Sequence, residues 1–219
     1  MTNEQKNISA EYDWLGRVFK RFMEVEKLIP ERQEKLYRLV SSEFAGGRTI
    51  IDVGCGLGLG SNVLSHNARF VWGVDINPRN VDFAKRAFRR PNMDFEVIDI
   101  EMPPTRELAK FDLVVMIETL EHLENADNGL QNLKRFFGQG TIGFITVPNR
   151  ANDEVIANEE KHGLHLQHFD AGEFYALMTK HFGSVVLYSV DKLEKWDQTE
   201  TVDGTSTDYL IVAKVESPK

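Results

Sequence analysis

The chain has 219 residues, 42% hydrophobic and 27% charged, with a net charge of −8, the composition of an ordinary globular protein and not of a low-complexity or collagen-like chain. A chain of this length buries about 70% of its surface on folding, so it needs neither disulfides nor a structural metal to hold a core. Its single cysteine excludes an internal disulfide framework and fits a reducing compartment.

No apolar run reaches the roughly 18 residues that span a bilayer. The opening stretch MTNEQKNISAEYDW has no apolar core for a secretory signal, so a cytoplasmic protein is expected. The first 45 residues read as helical. Trp14, Val18, Phe22 and Val25 recur at three- and four-residue spacing, with Ser9 as N-cap. Pro30 opens a second helix carrying Leu36, Leu39, Val40 and Phe44, and Gly46-Gly47 ends it.

From residue 48 the pattern changes to short apolar runs: TIIDV (49–53), RFVWGVD (69–75), DFEVID (94–99), DLVVMI (112–117), TIGFITV (141–147), SVVLYSV (184–190) and DYLIVAKV (208–215). Helical segments fall near 58–66, 78–89, 126–137 and 170–181. Unbroken apolar strands alternating with helices imply a parallel sheet covered on both faces. The last two runs are joined by a polar stretch without a long helix, which allows an antiparallel pair. The expected fold is α/β: a doubly wound, Rossmann-like, mostly parallel seven-stranded sheet with an antiparallel edge strand and N-terminal helices. Residues 1–47 would form a helical lid or cap, and 48–219 the main domain.

The strongest motif is Asp52-Val53-Gly54-Cys55-Gly56-Leu57-Gly58-Leu59-Gly60, where the first strand gives way to a helix. Glycines there let the chain turn tightly and let a ligand approach the backbone. A dinucleotide fingerprint G-x-G-x-x-G fails in both frames, because Leu59 or Ser61 falls at the last position. What remains is D-x-G-x-G-x-G.

That spacing, together with the motifs downstream of it, resembles the class I S-adenosylmethionine-dependent methyltransferases over roughly residues 49–190. The resemblance implies S-adenosylmethionine as cofactor, with Gly54, Cys55, Gly56 and Gly58 forming its cradle. Asp75, closing the second strand, would accept bonds from both ribose hydroxyls, and Ile76 would pack on one adenine face. Asp99 matches the family acid near the adenine amino group, and Ile100 the residue whose amide meets the ring. Asp52 would organise the glycine loop and the ammonium head group, and Glu118 would add negative potential to the same crevice. Cys55 needs no role beyond small size. The run Glu118-Thr119-Leu120-Glu121-His122-Leu123 has the E-x-x-E-H-L form of one large branch of the superfamily.

The resemblance places acceptor recognition in the N-terminal helices and in the segment after strand five, where His162, His165 and His168 cluster. Asp170 and Glu173 form a capping box opening the next helix, and His165 best fits the histidine that often precedes that turn in this branch. As a group titrating near neutrality, His165 is the candidate catalytic residue, orienting or deprotonating an acceptor hydroxyl or amine. A second reading joins Glu118, Glu121 and His122 to a later histidine as a divalent-metal site, like that of small-RNA 3′-terminal 2′-O-methyltransferases. Structural roles for Glu121 and His122 are favoured over metal, so no metal ligand is assigned.

Residues 150–219 hold 7 Lys and Arg against 13 Asp and Glu, so this acid-rich acceptor region favours a neutral or cationic acceptor over a polyanion. Lys85, Arg86, Arg89 and Arg90 form a local basic spot, better read as a solvated helix face than as a nucleic-acid contact. The expected function is methyl transfer from S-adenosylmethionine to a small molecule, oxygen favoured and nitrogen next. RNA methylation and cofactor binding without catalysis are the alternatives. Nucleic-acid and membrane partners are disfavoured, and oligomeric state is open.

Overall fold

The computed structural model describes residues 30–103, 107–163, 165–193 and 201–218. The helix expected from Ser9 and most of the lid expected over 1–47 lie outside the described residues. The chain divides into two compact units, Met1–Glu31 and Arg32–Lys219, and the second carries the whole sheet.

The helix after Pro30 is α1 (Glu31–Phe44), and the chain leaves it through Gly47 at φ 67°. Leu36, Tyr37 and Val40 on α1 are buried in the same core as the sheet. At its start, Arg32 Nε donates to Asp191 Oδ1 at 2.6 Å, and its guanidinium lies 4.1 Å from the Tyr209 ring centroid.

Then come β1 (Thr49–Val53), α2 (Leu59–Ser65), β2 (Phe70–Asp75), α3 (Pro78–Ala87), β3 (Met93–Val97) and β4 (Phe111–Met116). The second half is α4 (Ala126–Leu133), β5 (Phe137–Pro148), α5 (Asp153–His162), α6 (Ala171–His181), β6 (Phe182–Ser189) and β7 (Leu210–Pro218). The seven strands lie in the order β3-β2-β1-β4-β5-β7-β6. β1 to β5 are parallel, and β7 runs antiparallel to both β5 and β6. The edge strand β6 thus pairs antiparallel with its only neighbour, as the polar connection before the last strand implied.

Because successive strand residues face opposite sides, the apolar runs feed two cores at once. Ile50, Leu113 and Val115 face the layer of α1, α2 and α3, while Ile51, Val114 and Met116 face the layer of α4 and α6. This is why the strands read as unbroken apolar runs and not as alternating ones. The winding reverses between β1 and β4, which opens a crevice at their carboxyl ends.

Two local readings change. α4 stops at Leu133, a 3₁₀ turn comes next, and β5 begins at Phe137, four residues earlier than the apolar run. α5 was not anticipated. Asn152 caps it by accepting from the Glu154 and Val155 N–H groups, but Val155 is its only described residue that is fully buried, so it carries no apolar stripe.

A buried polar knot ties this frame together. Asp52, with no exposed surface, accepts from Tyr37 Oη at 3.0 Å and from Ser61 Oγ at 2.6 Å. It joins β1 to α1 and α2. The Tyr37 ring lies flat on Gly60, where any Cβ would run into it. Burial pushes the Asp52 carboxyl up to about 6, with the Ser61 and Tyr37 hydrogen bonds opposing the shift. The folded state therefore binds this proton more readily than the unfolded chain, and stability falls as pH rises from about 4 to about 6, by about 3 kcal/mol. Tyr37→Phe removes one of the two donors, so its cost should grow across the same window. Urea unfolding is expected to show a loss of about 2 kcal/mol at pH 8 and about 1 kcal/mol at pH 5. A pH-independent loss would show that Asp52 does not ionise in the folded protein.

Candidate functional site

Four of the expected residues converge where β1 and β2 end. Gly54, Gly56 and Gly58 all adopt positive φ, at 73°, 53° and 81°. Their surroundings differ. A Cβ on Gly54 would strike the Thr119 side chain, and one on Gly58 would lie 2.8 Å from both Ala84 Cβ and the Phe95 ring. A Cβ on Gly56 would meet nothing within 4 Å, so this glycine borders open space.

Asp75 lies opposite the loop. Its Oδ2 accepts from the Gly56 N–H at 2.8 Å, and its Oδ1 accepts from the Asn77 N–H at 2.8 Å and the Asn80 side chain at 3.3 Å. These bonds hold the carboxylate in one rotamer, and Oδ2 retains a second lone pair for a ligand hydroxyl. Next to it Ile76 is 64% exposed, a flat apolar surface beside a fixed acid. The residues present therefore fit an adenosine: an acid for the ribose, an apolar face for the base, and a side-chain-free backbone between them.

Asp99 accepts from the Glu101 N–H at 2.9 Å, and the Ile100 carbonyl accepts from Asn132 Nδ2 at 2.9 Å. Ile100 itself is buried in the core beneath. A cavity of about 210 Å³ opens here, lined by Val97, Asp99, Ile100, Met102, Leu108 and Asn132 among others. Neither the glycine loop nor Asp75 lines this cavity, so it adjoins the cradle without being its centre. Cys55 is buried, and burial with the charges of Asp52 and Asp75 pushes its thiol far up, which makes it inert.

Asp52 differs from expectation. Sealed between Tyr37 and Ser61, its carboxylate shapes the glycine loop from beneath and presents no surface to a head group.

Glu118 ends β4 at φ 49°, the only non-glycine residue with positive φ among the described residues. A left-handed glutamate is strained by roughly 1–2 kcal/mol. Thr146 on β5 holds it there from both sides: the Glu118 N–H donates to Thr146 Oγ1 at 2.8 Å, and that hydroxyl donates to Glu118 Oε1 at 3.1 Å. Burial pushes this carboxyl up to about 7 against the Thr146 and Gln33 hydrogen bonds.

The E-x-x-E-H run does not close as one ligand set. Glu121, His122 and His165 offer ligand atoms within 4.8 Å of one another, without Glu118. Glu121 is 1% exposed, and neither carboxylate oxygen has a hydrogen-bond partner. Burial, then the nearby Glu118 charge, pushes its carboxyl well up. His165 packs edge-on against His122, ring centroids 5.0 Å apart, and its Nδ1 lies 2.8 Å from Glu159 Oε2. Burial lowers its basicity, with Glu159 opposing and His122 and His168 adding to the effect. His168 reaches the other oxygen of the same Glu159, at 3.3 Å. The side chain of His162 lies outside the described residues. The capping box is present, with the Glu173 N–H donating to Asp170 Oδ1 at 2.8 Å and the Asp170 N–H donating to Glu173 Oε2 at 3.1 Å.

Tyr37, Ser61, Thr146 and Glu159 went unnoticed in the sequence. Each acts through a partner 9 to 28 residues away, or, for Glu159, from a helix without an apolar stripe. The basic spot is a solvated face, where Arg86 pairs with Asp82 at 2.8 Å and Arg90 donates to Asn62 Oδ1 at 3.0 Å.

Comparison with known proteins agrees with this geometry. Residues 51–145 match the methyltransferase-domain family. Over 106 residues the chain is 31% identical to a ubiquinone biosynthesis O-methyltransferase of Coxiella burnetii, covering 48% of this chain and 45% of that protein. The chain thus spans about half the length of the curated relatives it matches. Among solved structures, an S-adenosylmethionine-dependent methyltransferase of Thermotoga maritima, described as a possible histamine N-methyltransferase, superposes with a TM-score of 0.64 at 17% identity, covering 93% of this chain and 96% of that one. The N-methyltransferase NodS of Bradyrhizobium japonicum, in complex with S-adenosyl-L-homocysteine, gives 0.58 at 18% identity, covering 86% of each chain. The fold is that of the class I methyltransferases. Residues 51–145 thus match a methyltransferase domain, in register with the motifs read from the sequence.

The glycines separate into structural and ligand-facing positions, which unfolding can test. Gly58→Ala adds a clash to the cost of positive φ and should lose about 3 kcal/mol. Gly56→Ala carries the φ cost alone and should lose about 1 kcal/mol. Equal losses in urea titrations would mean that Gly56 is also packed.

Proposed function

We propose that the chain transfers a methyl group from S-adenosylmethionine to a small-molecule acceptor, oxygen favoured and nitrogen next. The observation that carries this is the closure of the glycine loop on Asp75, Gly56 N–H to Oδ2 at 2.8 Å, with Ile76 exposed beside it. When bound, S-adenosylmethionine supplies a methyl group activated on a sulfonium. The work of this chain is to hold and align. Asp75 would accept from the ribose hydroxyls, Ile76 would cover one adenine face, and Asp99 with Ile100 would meet its edge. Gly54, Cys55, Gly56 and Gly58 would pass along the ligand by backbone alone. Glu118, locked by Thr146, would set negative potential where a cationic centre sits.

Oxygen is favoured because curated relatives matching half of this chain are named O-methyltransferases. His165 supports the same reading, since an imidazole set 2.8 Å from Glu159 can orient or deprotonate a hydroxyl. The acid excess over residues 150–219 supports a neutral or cationic acceptor.

Calorimetry with S-adenosylmethionine tests the cofactor assignment without knowledge of the acceptor. Asp75→Ala should weaken binding at least about tenfold, because it removes charge-assisted bonds to the ribose. Unchanged affinity would refute the assignment. A screen of phenolic and amine acceptors with tritiated cofactor should label hydroxyl compounds first, and exclusive labelling of amines would reverse the preference for oxygen.

A further inference from the structure

We propose that the connection between α5 and α6 is a binding site for a divalent transition-metal ion of the zinc class, with Glu159, His165 and His168 as its protein ligands. Ligand atoms of these three side chains lie within 4.8 Å of one another. Glu159 already bridges the two imidazoles, Oε2 to His165 Nδ1 at 2.8 Å and Oε1 to His168 Nε2 at 3.3 Å. An ion entering between them would replace the two imidazole–carboxylate contacts with three coordinate bonds, each ring keeping its single proton on the nitrogen that faces away from the ion. Two imidazoles and one carboxylate suit a borderline cation, with a fourth position left for an oxygen donor. Magnesium and calcium prefer sets built from more oxygens.

The local sequence explains why the ligands meet. α5 ends at Gly163 in the left-handed conformation, φ 56° and ψ 44°, whose N–H donates to the Glu159 carbonyl at 2.8 Å. That reversal brings His165 back over Glu159, and the His165 N–H donates to Glu159 Oε1 at 3.3 Å. The loop is then pinned along its length. The Leu166 and Gln167 N–H groups both donate to the Glu121 carbonyl at 2.9 Å, Gln167 Nε2 donates to the Glu124 carbonyl at 3.1 Å, and the Arg150 N–H donates to the Phe169 carbonyl at 2.9 Å. Ligands on so constrained a backbone are organised before the ion arrives.

Glu121 is the independent observation. Its carboxylate is buried, both oxygens lack a hydrogen-bond partner, and one lies within 4.8 Å of a His165 ring nitrogen. A buried carboxylate in that position calls for a nearby positive charge or a strong donor. An ion on His165 would bring positive charge close to it. In the loaded protein His165 is a ligand, and a hydroxyl in the open position would be acidified by the ion in place of the imidazole. The ligand class for that position is therefore an oxygen donor, water or a hydroxyl compound.

The experiment uses the full chain, stripped with EDTA and titrated calorimetrically with zinc chloride, with magnesium chloride as control. It involves no S-adenosylmethionine, so its failure leaves the methyltransferase reading intact, and the reverse also holds. One zinc ion per chain is expected to bind, and magnesium is expected to give no comparable heat. Glu159→Gln and His168→Ala should each weaken zinc binding at least tenfold, while His122→Ala should stay within about twofold. Both tested ligands are at or near the surface, and thermal unfolding of the metal-free variants shows whether they fold. Zinc should raise the unfolding temperature of the parent and leave that of His168→Ala unchanged. Absence of zinc binding would overturn the proposal. So would loss of binding in His122→Ala with Glu159→Gln and His168→Ala unaffected, which would place the ion on Glu121, His122 and His165.

Discussion

The geometry of the cradle depends on one buried carboxylate. Asp52 is fully buried and, among the described residues, is held by hydrogen bonds from Tyr37 and Ser61. A charge so placed needs donors that cannot drift, and each donor sits on a different helix. The knot therefore fixes α1 and α2 relative to the end of β1, where the glycine loop departs. Gly60 completes it, because only a residue without a side chain lets the Tyr37 ring lie against α2 and still reach Asp52. Without those two donors the chain would bury an unpaired charge, and the loop would lose the surface on which it turns.

From that anchor the acids follow one another along the carboxyl ends of the strands. Asp52 under β1 serves structure, Asp75 at the end of β2 holds the glycine loop, and Glu118, just beyond β4, stands in a strained conformation locked by Thr146. Asp52 accepts two hydrogen bonds and Asp75 three, so both carboxylates are well satisfied within the protein. Glu121, three residues beyond Glu118, has no hydrogen-bond partner for either oxygen. Incomplete satisfaction is costly in a buried site, so it concentrates where a ligand or ion can supply what the fold withholds.

The strand pattern made the sheet legible because both faces are covered, and alternate residues feed two separate cores. The glycine loop and Asp75 were legible because the backbone there demands residue types that nothing else replaces. α5 was not, since a helix whose only fully buried described residue is Val155 leaves no apolar stripe. Glu159 was missed with it. The partners of Asp52 and Glu118 were invisible for another reason: Tyr37 and Thr146 are ordinary core and strand residues until the fold brings them to a carboxylate.

By itself, then, the sequence determined the class of fold and the strand after which the glycine loop turns, because periodicity and backbone conformation are local properties. Only the tertiary structure decided which acid meets the solvent and which is sealed, where β7 inserts between β5 and β6, and that one glutamate from α5 joins two histidines of the next loop. Those outcomes depend on contacts between residues far apart in the chain, and on whether burial leaves a polar group with a partner.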